Sequence, residues 1–324
     1  MDSQDNLALH WDIQLIAGTG CPKLAQDIGN FLGIPLSGRD IVQFPNENLF
    51  VRLHGSARGQ DVYIIQTTSR PVHRNLMELL ILIDCLKRDS ADRITAVVPY
   101  LCYARSDKKD LPRVPITARL VADMIEAAGA DRWMTIDLHA GQIQGFFKIP
   151  GDVLTAFHIL HDYFVKKELQ NAVVLTADLG FAKRGRNFAE ALNLPLAFVE
   201  KKRSKGGRKT EALTIIGNVK GKDVLIVDDE VDTAGSIKRA VGIAKECGAN
   251  DIYLSFTHAV FSGPAVKRLS KLPIKEIVTT DTIPIPRDKA ERLPNLTILT
   301  VAPLLAEVIR RAHQGRSVGE LFDE

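Results

Sequence analysis

The stretch Val224-Leu225-Ile226-Val227-Asp228-Asp229-Glu230-Val231-Asp232-Thr233-Ala234-Gly235-Ser236 decides the fold. Its first four residues are apolar and three of them are β-branched, which predicts a buried strand. After Ser236, apolar side chains recur at helical spacing, at Ile237, Ala240, Val241 and Ala244. A strand–turn–helix unit of this kind is typical of an α/β protein.

The turn of this unit combines small residues with carboxylates. Thr233-Ala234-Gly235-Ser236 lets an anion approach the N–H groups at a helix N-terminus, where the helix dipole also favours negative charge. A carboxylate repels phosphate, so Asp228 and Asp229 need a different role, either accepting hydrogen bonds from sugar hydroxyls or steering Mg²⁺. A phosphorylated sugar fits both halves, and an ordinary acidic surface turn is the alternative.

Length and composition describe a globular protein of two domains. The chain has 324 residues, of which 45% are hydrophobic and 25% are charged. A net charge of +3 gives no case for nucleic acid, and apolar runs such as 79–83 are too short to span a membrane. Four scattered cysteines indicate a reducing compartment, and residues 1–5 do not resemble a presequence. We therefore expect a cytoplasmic protein with no nucleic-acid or membrane partner.

A short internal repeat predicts two similar α/β domains. Gly59-Gln60-Asp61-Val62-Tyr63-Ile64-Ile65 matches Gly221-Lys222-Asp223-Val224-Leu225-Ile226-Val227. The first copy continues with Gln66-Thr67-Thr68-Ser69 instead of an acidic pair, so only the second is expected to bind a sugar phosphate. The domains are drawn at 1–150 and 151–302, with a C-terminal helix at about 303–324 joining the first. Gly18-Thr19-Gly20 lacks a complete nucleotide-binding pattern and is interpreted as a plain turn.

Two other segments carry chemistry-bearing side chains. Residues 103–117 form a charged, proline-containing loop that either is simply solvated or clamps a triphosphate. Residues 133–140 are predicted to be a strand with Asp137 and His139 on one face, so that Asp137 orients the imidazole. A lone histidine at a strand end can equally be structural.

The second domain adds an acidic turn and a basic segment. A strand at 172–176 leads to Asp178 in a glycine-containing turn. The basic residues between Lys201 and Lys209 flank two glycines, which suits either a mobile loop over a site or a solvated hairpin.

Several motifs, spread over almost the whole chain, resemble those of the ribose-phosphate pyrophosphokinases. They lie at Asn75–Leu80, Tyr103–Asp110, Asp137–Phe147 and Thr257–Ala265, in addition to the central loop. The resemblance implies two similar phosphoribosyltransferase-like domains, each a mainly parallel sheet flanked by helices. It also implies Mg²⁺-dependent transfer of the diphosphoryl group of ATP to the 1-hydroxyl of ribose 5-phosphate, for nucleotide biosynthesis. The alternatives are a type I phosphoribosyltransferase, which shares only the central loop, and a non-catalytic regulatory subunit associated with a synthetase.

The resemblance further implies a role for each matching residue. The implied ATP-binding residues are Phe44, Asn46, Asn48, Arg105, Ser106 and Asp110, with Phe44 and Asn46 reaching the adenine from a neighbouring subunit. The implied ribose 5-phosphate ligands are Asp228, Asp229, Asp232, Thr233, Ala234, Gly235 and Ser236, the metal ligands are His139 and Asp178, and the catalytic pair is Lys201 and Arg203. Ser56, Arg58, Arg113 and Ser317 match a subunit-interface site for a phosphate activator or ADP. A homo-oligomer, a hexamer built from dimers, is the implied assembly.

Overall fold

The computed structural model describes residues 12–203 and 211–321, which form two compact units. The first consists of the residues up to Thr135, of Ala140–Val153 and of the residues from Ala302 on. The second consists of Ile136–His139 and Leu154–Val301. The short segment 136–139 therefore groups with the second unit, although it precedes position 150 in the sequence.

The strands and helices alternate along most of the chain. The strands are β1 Ile13–Ala17, β2 Arg39–Gln43, β3 Leu49–Leu53, β4 Asp61–Ile65, β5 Arg93–Val98, β6 Arg132–Ile136, β7 Gly151–Leu154, β8 Ala172–Thr176, β9 Leu196–Arg203, β10 Glu211–Ile216, β11 Asp223–Glu230, β12 Ile252–His258, β13 Glu276–Thr280 and β14 Leu296–Leu299. The helices are α1 Pro22–Leu32, α2 Val72–Arg88, α3 Thr117–Ala128, α4 Phe157–Lys167, α5 Ala182–Ala191, α6 Gly235–Glu246, α7 Ala265–Leu269, α8 Arg287–Ala290 and α9 Ala302–His313. Short 3-10 helices lie at Gly141–Phe146, Leu179–Phe181 and Gly319–Leu321.

Each unit is built on a sheet with the same core order. The first sheet has the order β1-β4-β5-β6-β7, and the second has β10-β9-β8-β11-β12-β13-β14. Strands β1, β4, β5 and β6 pair in parallel, as do β8, β11, β12, β13 and β14. The exceptions are the antiparallel β9–β10 edge and a separate β2–β3 ribbon. The predicted α/β class with two similar, mainly parallel sheets is confirmed.

The sequence repeat has a physical cause in the turns that precede β4 and β11. Gly59 and Gly221 both adopt a left-handed backbone, with φ of 65° and 68°, which glycine adopts without steric cost. Each glycine donates its N–H to a carbonyl oxygen just beyond the helix that follows: Gly59 N donates to Ser90 O at 3.0 Å, and Gly221 N donates to Gly248 O at 2.8 Å. The repeated residues thus fix the same closed turn in both units.

The apolar side chains that the sequence predicts to be buried in β11 and α6 are buried in the structure. Val224, Leu225 and Ile226 have no exposed surface, and the face of α6 that carries Ile237 and Val241 is buried as well. Burying a side chain of this size stabilises the fold by about 1.5–3 kcal/mol. This packing fixes the end of β11, where the carboxylates lie.

The loop Gly18-Thr19-Gly20 in the first unit is filled by a carboxylate of the chain itself. Glu78 on α2 has no exposed surface. Its Oε1 accepts from Thr19 N at 2.5 Å and its Oε2 accepts from Thr19 Oγ1 at 2.6 Å. Gln66 links the same group, because its Nε2 donates to Glu78 Oε1 at 3.1 Å and its Oε1 accepts from Gly20 N at 2.8 Å. The loop that follows β1 is therefore closed around an internal anion.

Helix α9 is joined to the first sheet by a buried carboxylate. Asp61, at the start of β4, accepts from Arg93 Nε at 2.8 Å and from His313 Nδ1 at 2.8 Å. Tyr63 Oη donates to the same carboxylate at 3.0 Å. Burial acts to raise the pKa of Asp61, but the hydrogen bonds from Arg93 and His313 outweigh it, so the pKa is lowered.

None of the described helices combines the length and the apolar character needed to cross a membrane.

Candidate active site

The site is built on the carboxyl end of β11, between two parallel neighbours. Val227 pairs with Thr176 of β8 and with Ser255 of β12, and Asp228 and Asp229 follow it in the last part of β11, where the pairing with β12 continues. Asp229 is 6% exposed, whereas Asp228 is only partly buried. Ligands of open parallel sheets bind at this edge, beyond the carboxyl ends of the strands.

The two adjacent carboxylates have opposite pKa shifts. Burial, and then repulsion by Asp229, raise the pKa of Asp228 well above its ordinary value, with a smaller contribution from the charge of Asp178. Burial also acts to raise the pKa of Asp229, but the hydrogen bond and the charge of His139 outweigh it and the net pKa is lowered. The pair therefore consists of a firmly ionised Asp229 and an Asp228 that is costly to ionise without a partner.

His139 lies against this pair. Its Nδ1 is 2.7 Å from Asp229 Oδ2, and because an ionised carboxylate only accepts, the ring nitrogen donates. Metal-binding histidines are commonly oriented by a carboxylate on the other ring nitrogen, so this contact fits a ligand role.

The prediction that Asp137 orients His139 is wrong. Strand β6 ends at Ile136, and Asp137 has a left-handed backbone with φ of 42°, so the alternation of faces stops there. Asp137 Oδ2 instead accepts from Thr257 Oγ1 at 2.7 Å and from Ala156 N at 3.0 Å. Asp229, 90 residues away along the chain, orients the imidazole instead.

The small-residue loop leads from the carboxylates into α6. Ala234 has a left-handed backbone with φ of 57° and caps the helix, which begins at Gly235. The first N–H groups of a helix have no partner within it, so they face an incoming anion. Asp232 accepts a hydrogen bond from Ser262 Oγ, and Thr233 O accepts from Arg268 Nη1 at 2.8 Å. Ser236 Oγ accepts from Arg239 Nη2 at 3.4 Å.

Asp178 follows β8 at the same edge of the second sheet. It is exposed, and its Oδ1 accepts from Phe181 N at 3.1 Å. Its charge reaches Asp228, which brings His139, Asp178 and the acidic pair into one electrostatic group. Within residues 12–203 and 211–321, no three His, Cys, Asp or Glu side chains are grouped to hold a metal ion by themselves.

The residues assigned to ATP lie on two elements of the first unit. Phe44, Asn46 and Asn48 form the exposed turn of the β2–β3 ribbon, where Phe44 N donates to Asn48 O at 2.8 Å. The ring of Phe44 is 45% exposed, which is unusual for an aromatic side chain and leaves it available to a ligand.

The second element is the loop that follows β5. Arg105 and Asp110 are exposed on it. Ser106 ties the loop to α3, because its Oγ accepts from Thr117 N at 3.3 Å and its backbone O accepts from Ala118 N at 3.1 Å.

The residues matched to an allosteric site are exposed in the first unit. Ser56 Oγ donates to Asp89 Oδ2 at 3.2 Å and accepts from Arg58 N at 3.2 Å. Ser317 O accepts from Arg311 Nη1 at 3.0 Å, and Arg113 has a left-handed backbone with φ of 64°. Their use as one anion site stays a prediction.

The catalytic pair falls at the limit of the described chain. Lys201 and Arg203 belong to the last residues of β9, where Arg203 pairs with Glu211 of β10. Their side chains lie outside the described part of the structure, as do residues 204–210 of the basic segment.

Comparisons with known proteins identify the family. The family model for the N-terminal domain of ribose phosphate pyrophosphokinase matches residues 13–129, and the model for the phosphoribosyl synthetase-associated domain matches residues 202–323. The ribose-phosphate pyrophosphokinase of Caldanaerobacter subterraneus is 49% identical over 311 residues, covering 96% of this chain and 98% of the relative. The chain belongs to the ribose-phosphate pyrophosphokinase family. The corresponding protein of Campylobacter jejuni is 46% identical over 309 residues, covering 95% of this chain and 98% of its own length.

A solved structure of the same family has the same fold over nearly the whole chain. The phosphoribosylpyrophosphate synthetase from Mycobacterium smegmatis matches with a TM-score of 0.89 and 41% identity, covering 94% of this chain and 99% of that one. The family resemblance drawn from the motifs is thereby confirmed.

Sequence reasoning missed three contributors to this pyrophosphokinase site. Thr257 and His258 lie in one of the family motifs but had no assigned role, and both contact the segment that carries His139. Arg184 Nη2 also donates to Leu138 O at 2.7 Å. Only distant pairings reveal them, since the partners lie 46–122 residues apart, and no local pattern signals such pairings.

Proposed function

We propose that this chain transfers the diphosphoryl group of ATP to the 1-hydroxyl of ribose 5-phosphate, giving 5-phosphoribosyl 1-pyrophosphate and AMP for nucleotide biosynthesis. The observation that carries the proposal is the end of β11, where a partly buried Asp228 and a buried Asp229 lead into a small-residue helix N-terminus. That arrangement suits a ligand with a diol and a phosphate, and the family membership supplies the reaction.

The acceptor sugar is assigned to the second unit. The loop that runs from Asp232 to Ser236 holds the 5-phosphate through the hydroxyls and N–H groups of Thr233 to Ser236. Asp228 and Asp229 accept hydrogen bonds from the 2- and 3-hydroxyls. Sugar hydroxyls give Asp228 the donors that favour its charged form, which offsets the cost of its burial.

The donor nucleotide is assigned to residues of the first unit. Phe44, Asn46 and Asn48 contact the adenine, while Arg105, Ser106 and Asp110 contact the rest of ATP. Asn48 stands where many relatives carry a glutamate that helps to read adenine, so nucleotide preference is a property to measure.

Magnesium is the proposed metal, with His139 and Asp178 as its protein ligands. Mg²⁺ commonly uses few protein ligands and completes its shell with water and substrate phosphates, which fits the two side chains available here. When bound, the ion supplies positive charge to the phosphoryl oxygens.

The chain's own cations support the transfer step. The 1-hydroxyl oxygen attacks the β-phosphorus and gives up its proton to solvent. The bond from that phosphorus to the oxygen that bridges it to the α-phosphorus breaks, and AMP leaves with this oxygen. Negative charge builds on the transferred oxygens, and Lys201 and Arg203 stabilise it.

The finer family properties are also part of the proposal. The protein forms a homo-oligomer, a hexamer built from dimers. Inorganic phosphate activates it at a subunit interface through Ser56, Arg58, Arg113 and Ser317. Gly319 replaces a serine there, so the response to phosphate is expected to be weaker than in relatives that carry the serine.

A coupled assay for AMP and 5-phosphoribosyl 1-pyrophosphate tests the reaction. With ATP, ribose 5-phosphate and Mg²⁺, both products should form in equal amounts. Lys201→Ala should lower kcat by about 10²-fold or more, as expected for loss of one transition-state cation. An absence of both products, with and without added phosphate, would defeat the proposal, and near-full turnover of Lys201→Ala would defeat the assigned catalytic role.

A further inference from the structure

Two neighbouring side chains of β12 hold the segment that carries His139. Thr257 Oγ1 donates to Asp137 Oδ2 at 2.7 Å. His258 Nε2 lies 3.0 Å from Ile136 O and 3.1 Å from Asp137 O. Carbonyl oxygens only accept, so Nε2 carries the hydrogen and donates to this pair. The segment just before His139 is therefore hydrogen-bonded to β12 through both its backbone carbonyls and the side chain of Asp137.

The same strand also fixes the acidic pair. Asp228 pairs with Phe256 and Glu230 pairs with His258 in the parallel register of β11 and β12. Beyond the last pair, Val231 N donates to His258 O at 3.0 Å. One strand thus sets the position of Asp229 through its backbone and the position of the His139 segment through its side chains.

The segment needs these fastenings because its backbone is strained. Asp137 is a non-glycine residue in the left-handed region, with φ of 42°, a conformation that non-glycine residues seldom adopt. It persists only where the surroundings hold it, here through Thr257 and through hydrogen bonds with Leu154 O and Ala156 N. Loss of one fastening should let the residue relax and move His139.

Burial makes the fastenings rigid. Thr257 and His258 are both buried, at 4% and 3% exposed. Thr257 O lies within hydrogen-bonding distance of three threonine hydroxyls, those of Thr279, Thr280 and Thr282, at 3.2, 2.8 and 3.3 Å. Thr282 Oγ1 also lies 2.9 Å from His258 Nδ1. These contacts fix the end of β12 without touching the His139 segment, which makes them a source of controls.

We propose that Thr257 and His258 are positioning residues that keep His139 within hydrogen-bonding distance of Asp229, and that they thereby set the magnesium requirement of the reaction. The second half of this statement rests on the proposed function, in which His139 is a metal ligand. The first half concerns this chain alone and needs no turnover to be tested.

The first test follows the imidazole of His139 by NMR. The chain has 8 histidines, and with ¹³C-labelled rings the His139 signal is the one that His139→Gln removes. Thr257→Val removes the donor to Asp137 at nearly constant volume, and it should shift or broaden that signal. Thr257→Ser keeps the hydroxyl and should leave it in place. Thr279→Val, which removes a buried hydroxyl from the same threonine group, should also leave it in place.

The second test measures turnover against Mg²⁺ concentration. Residues that orient metal ligands typically contribute about 10–100-fold to metal affinity or activity. We therefore expect Thr257→Val to raise the half-saturating Mg²⁺ concentration by about that factor, while Thr257→Ser and Thr279→Val stay close to the wild type. The KM for ATP at saturating Mg²⁺ should change much less, which separates positioning from a general loss of folding.

An unchanged His139 signal in Thr257→Val overturns the proposal, and so does an equal effect of Thr279→Val. If Thr257→Val fails to fold, His258→Leu removes the Nε2 donor while keeping Thr257, and it should give the same pair of effects. An inactive wild-type protein would defeat the proposed function, but the NMR comparison would still decide whether these residues position His139.

Discussion

Asp228 and Asp229 show how far two adjacent residues can differ when their neighbours differ. Burial acts to raise the pKa of both carboxyls. Only Asp229 receives a hydrogen bond from His139, and this contact outweighs the effect of burial. The net pKa of Asp229 is therefore lowered, while that of Asp228 is raised. The pair thus holds one carboxylate whose charge His139 compensates and one whose charge has no such partner among the contacts described.

Replacing Asp228 by asparagine should stabilise the empty protein and impair the enzyme. Its pKa is raised in the folded state, so the folded carboxyl holds its proton at higher pH than the unfolded one, and ionisation costs stability as pH rises through the folded pKa. We expect Asp228→Asn to raise Tm at pH 7 by about 2–4 °C, equivalent to about 1 kcal/mol. The gain should vanish near pH 3, where the carboxyl is protonated in both states.

The same variant should lose about 10–100-fold in kcat/KM for ribose 5-phosphate, because a hydrogen bond to a charged group is removed. Thermal unfolding at pH 7 and pH 3, together with steady-state kinetics, measures both effects. A variant that is less stable at pH 7 would contradict the assigned pKa shift.

Gly235 offers a test of whether its small size serves the ligand or the fold. A Cβ added there would meet Thr233 Oγ1 at 3.6 Å and Arg268 Nη1 at 3.7 Å, which are ordinary contacts. Alanine is also a better helix former than glycine by about 1 kcal/mol. Gly235→Ala should therefore keep or raise Tm, yet raise the KM for ribose 5-phosphate about 10-fold or more by blocking approach to the N–H groups. An unchanged KM would mean that the phosphate binds elsewhere.

The limits of sequence reasoning at this scale are visible in Asp137. Alternation along a strand predicted that it shares a face with His139, but the strand stops one residue earlier and the backbone turns left-handed. The local residues do not signal that change, because Thr257, which holds Asp137, lies 120 positions away. The strand that carries the acidic pair and the helix after the small-residue loop were predictable from local apolar spacing, whereas the histidine that contacts Asp229 lies 90 residues away.

Among the elements, the attachment of α9 to the first sheet depends on a buried charge. Asp61 is fully buried, while Arg93 and His313 retain 26% and 24% exposure. Removing one partner of a buried ion pair leaves the other charge uncompensated, which typically costs about 3–5 kcal/mol of stability. Because Arg93 and His313 are partly exposed, we expect the loss of the Asp61 carboxylate to cost about 2–3 kcal/mol.

Asp61→Asn should accordingly destabilise the protein most at neutral pH. The pKa of Asp61 is lowered on folding, so its contribution is fully present above the unfolded pKa of about 4 and disappears as pH falls through the folded pKa. Urea unfolding at pH 7, 5 and 3.5 should show the difference from wild type shrinking with acidity. Asp223→Asn is the matched control, since Asp223 opens β11 as Asp61 opens β4 but accepts only an N–H, from Asp251, among the hydrogen bonds described. A difference that grows with acidity would contradict the assignment.

The elements themselves were largely predictable, for a reason that the repeat makes clear. Gly59 and Gly221 each mark a turn that needs a left-handed backbone, and the buried strand and helix after each turn follow from local apolar spacing. The attachment of α9, in contrast, depends on a pairing across the chain, between His313 and Asp61. The sequence could therefore place the helix at the C-terminus but not the carboxylate that holds it.

At the scale of the whole molecule, the proposed use of Phe44 by a neighbouring subunit can be tested by mixing two defective proteins. Phe44→Ala should raise the KM for ATP about 10-fold or more through loss of aromatic contact, and Lys201→Ala should lack turnover. If subunits exchange, a hybrid oligomer contains sites with an intact lysine from one chain and an intact Phe44 from the other. For random mixing in a symmetric assembly, about a quarter of the sites are complete, so activity at low ATP should reappear. A mixture no more active than the sum of its parts would place Phe44 in its own subunit's site.

The closed loop around Glu78 has a consequence for a molecule built from two copies of one fold. An anion tethered to the chain is present at an effective concentration of the order of millimolar or above, whatever the solution contains. Phosphate or nucleotide from solution has to compete with that permanent occupant for the N–H of Thr19. This loop of the first unit is therefore expected to be closed to free phosphate and nucleotide, whereas anion binding elsewhere in the unit is unaffected.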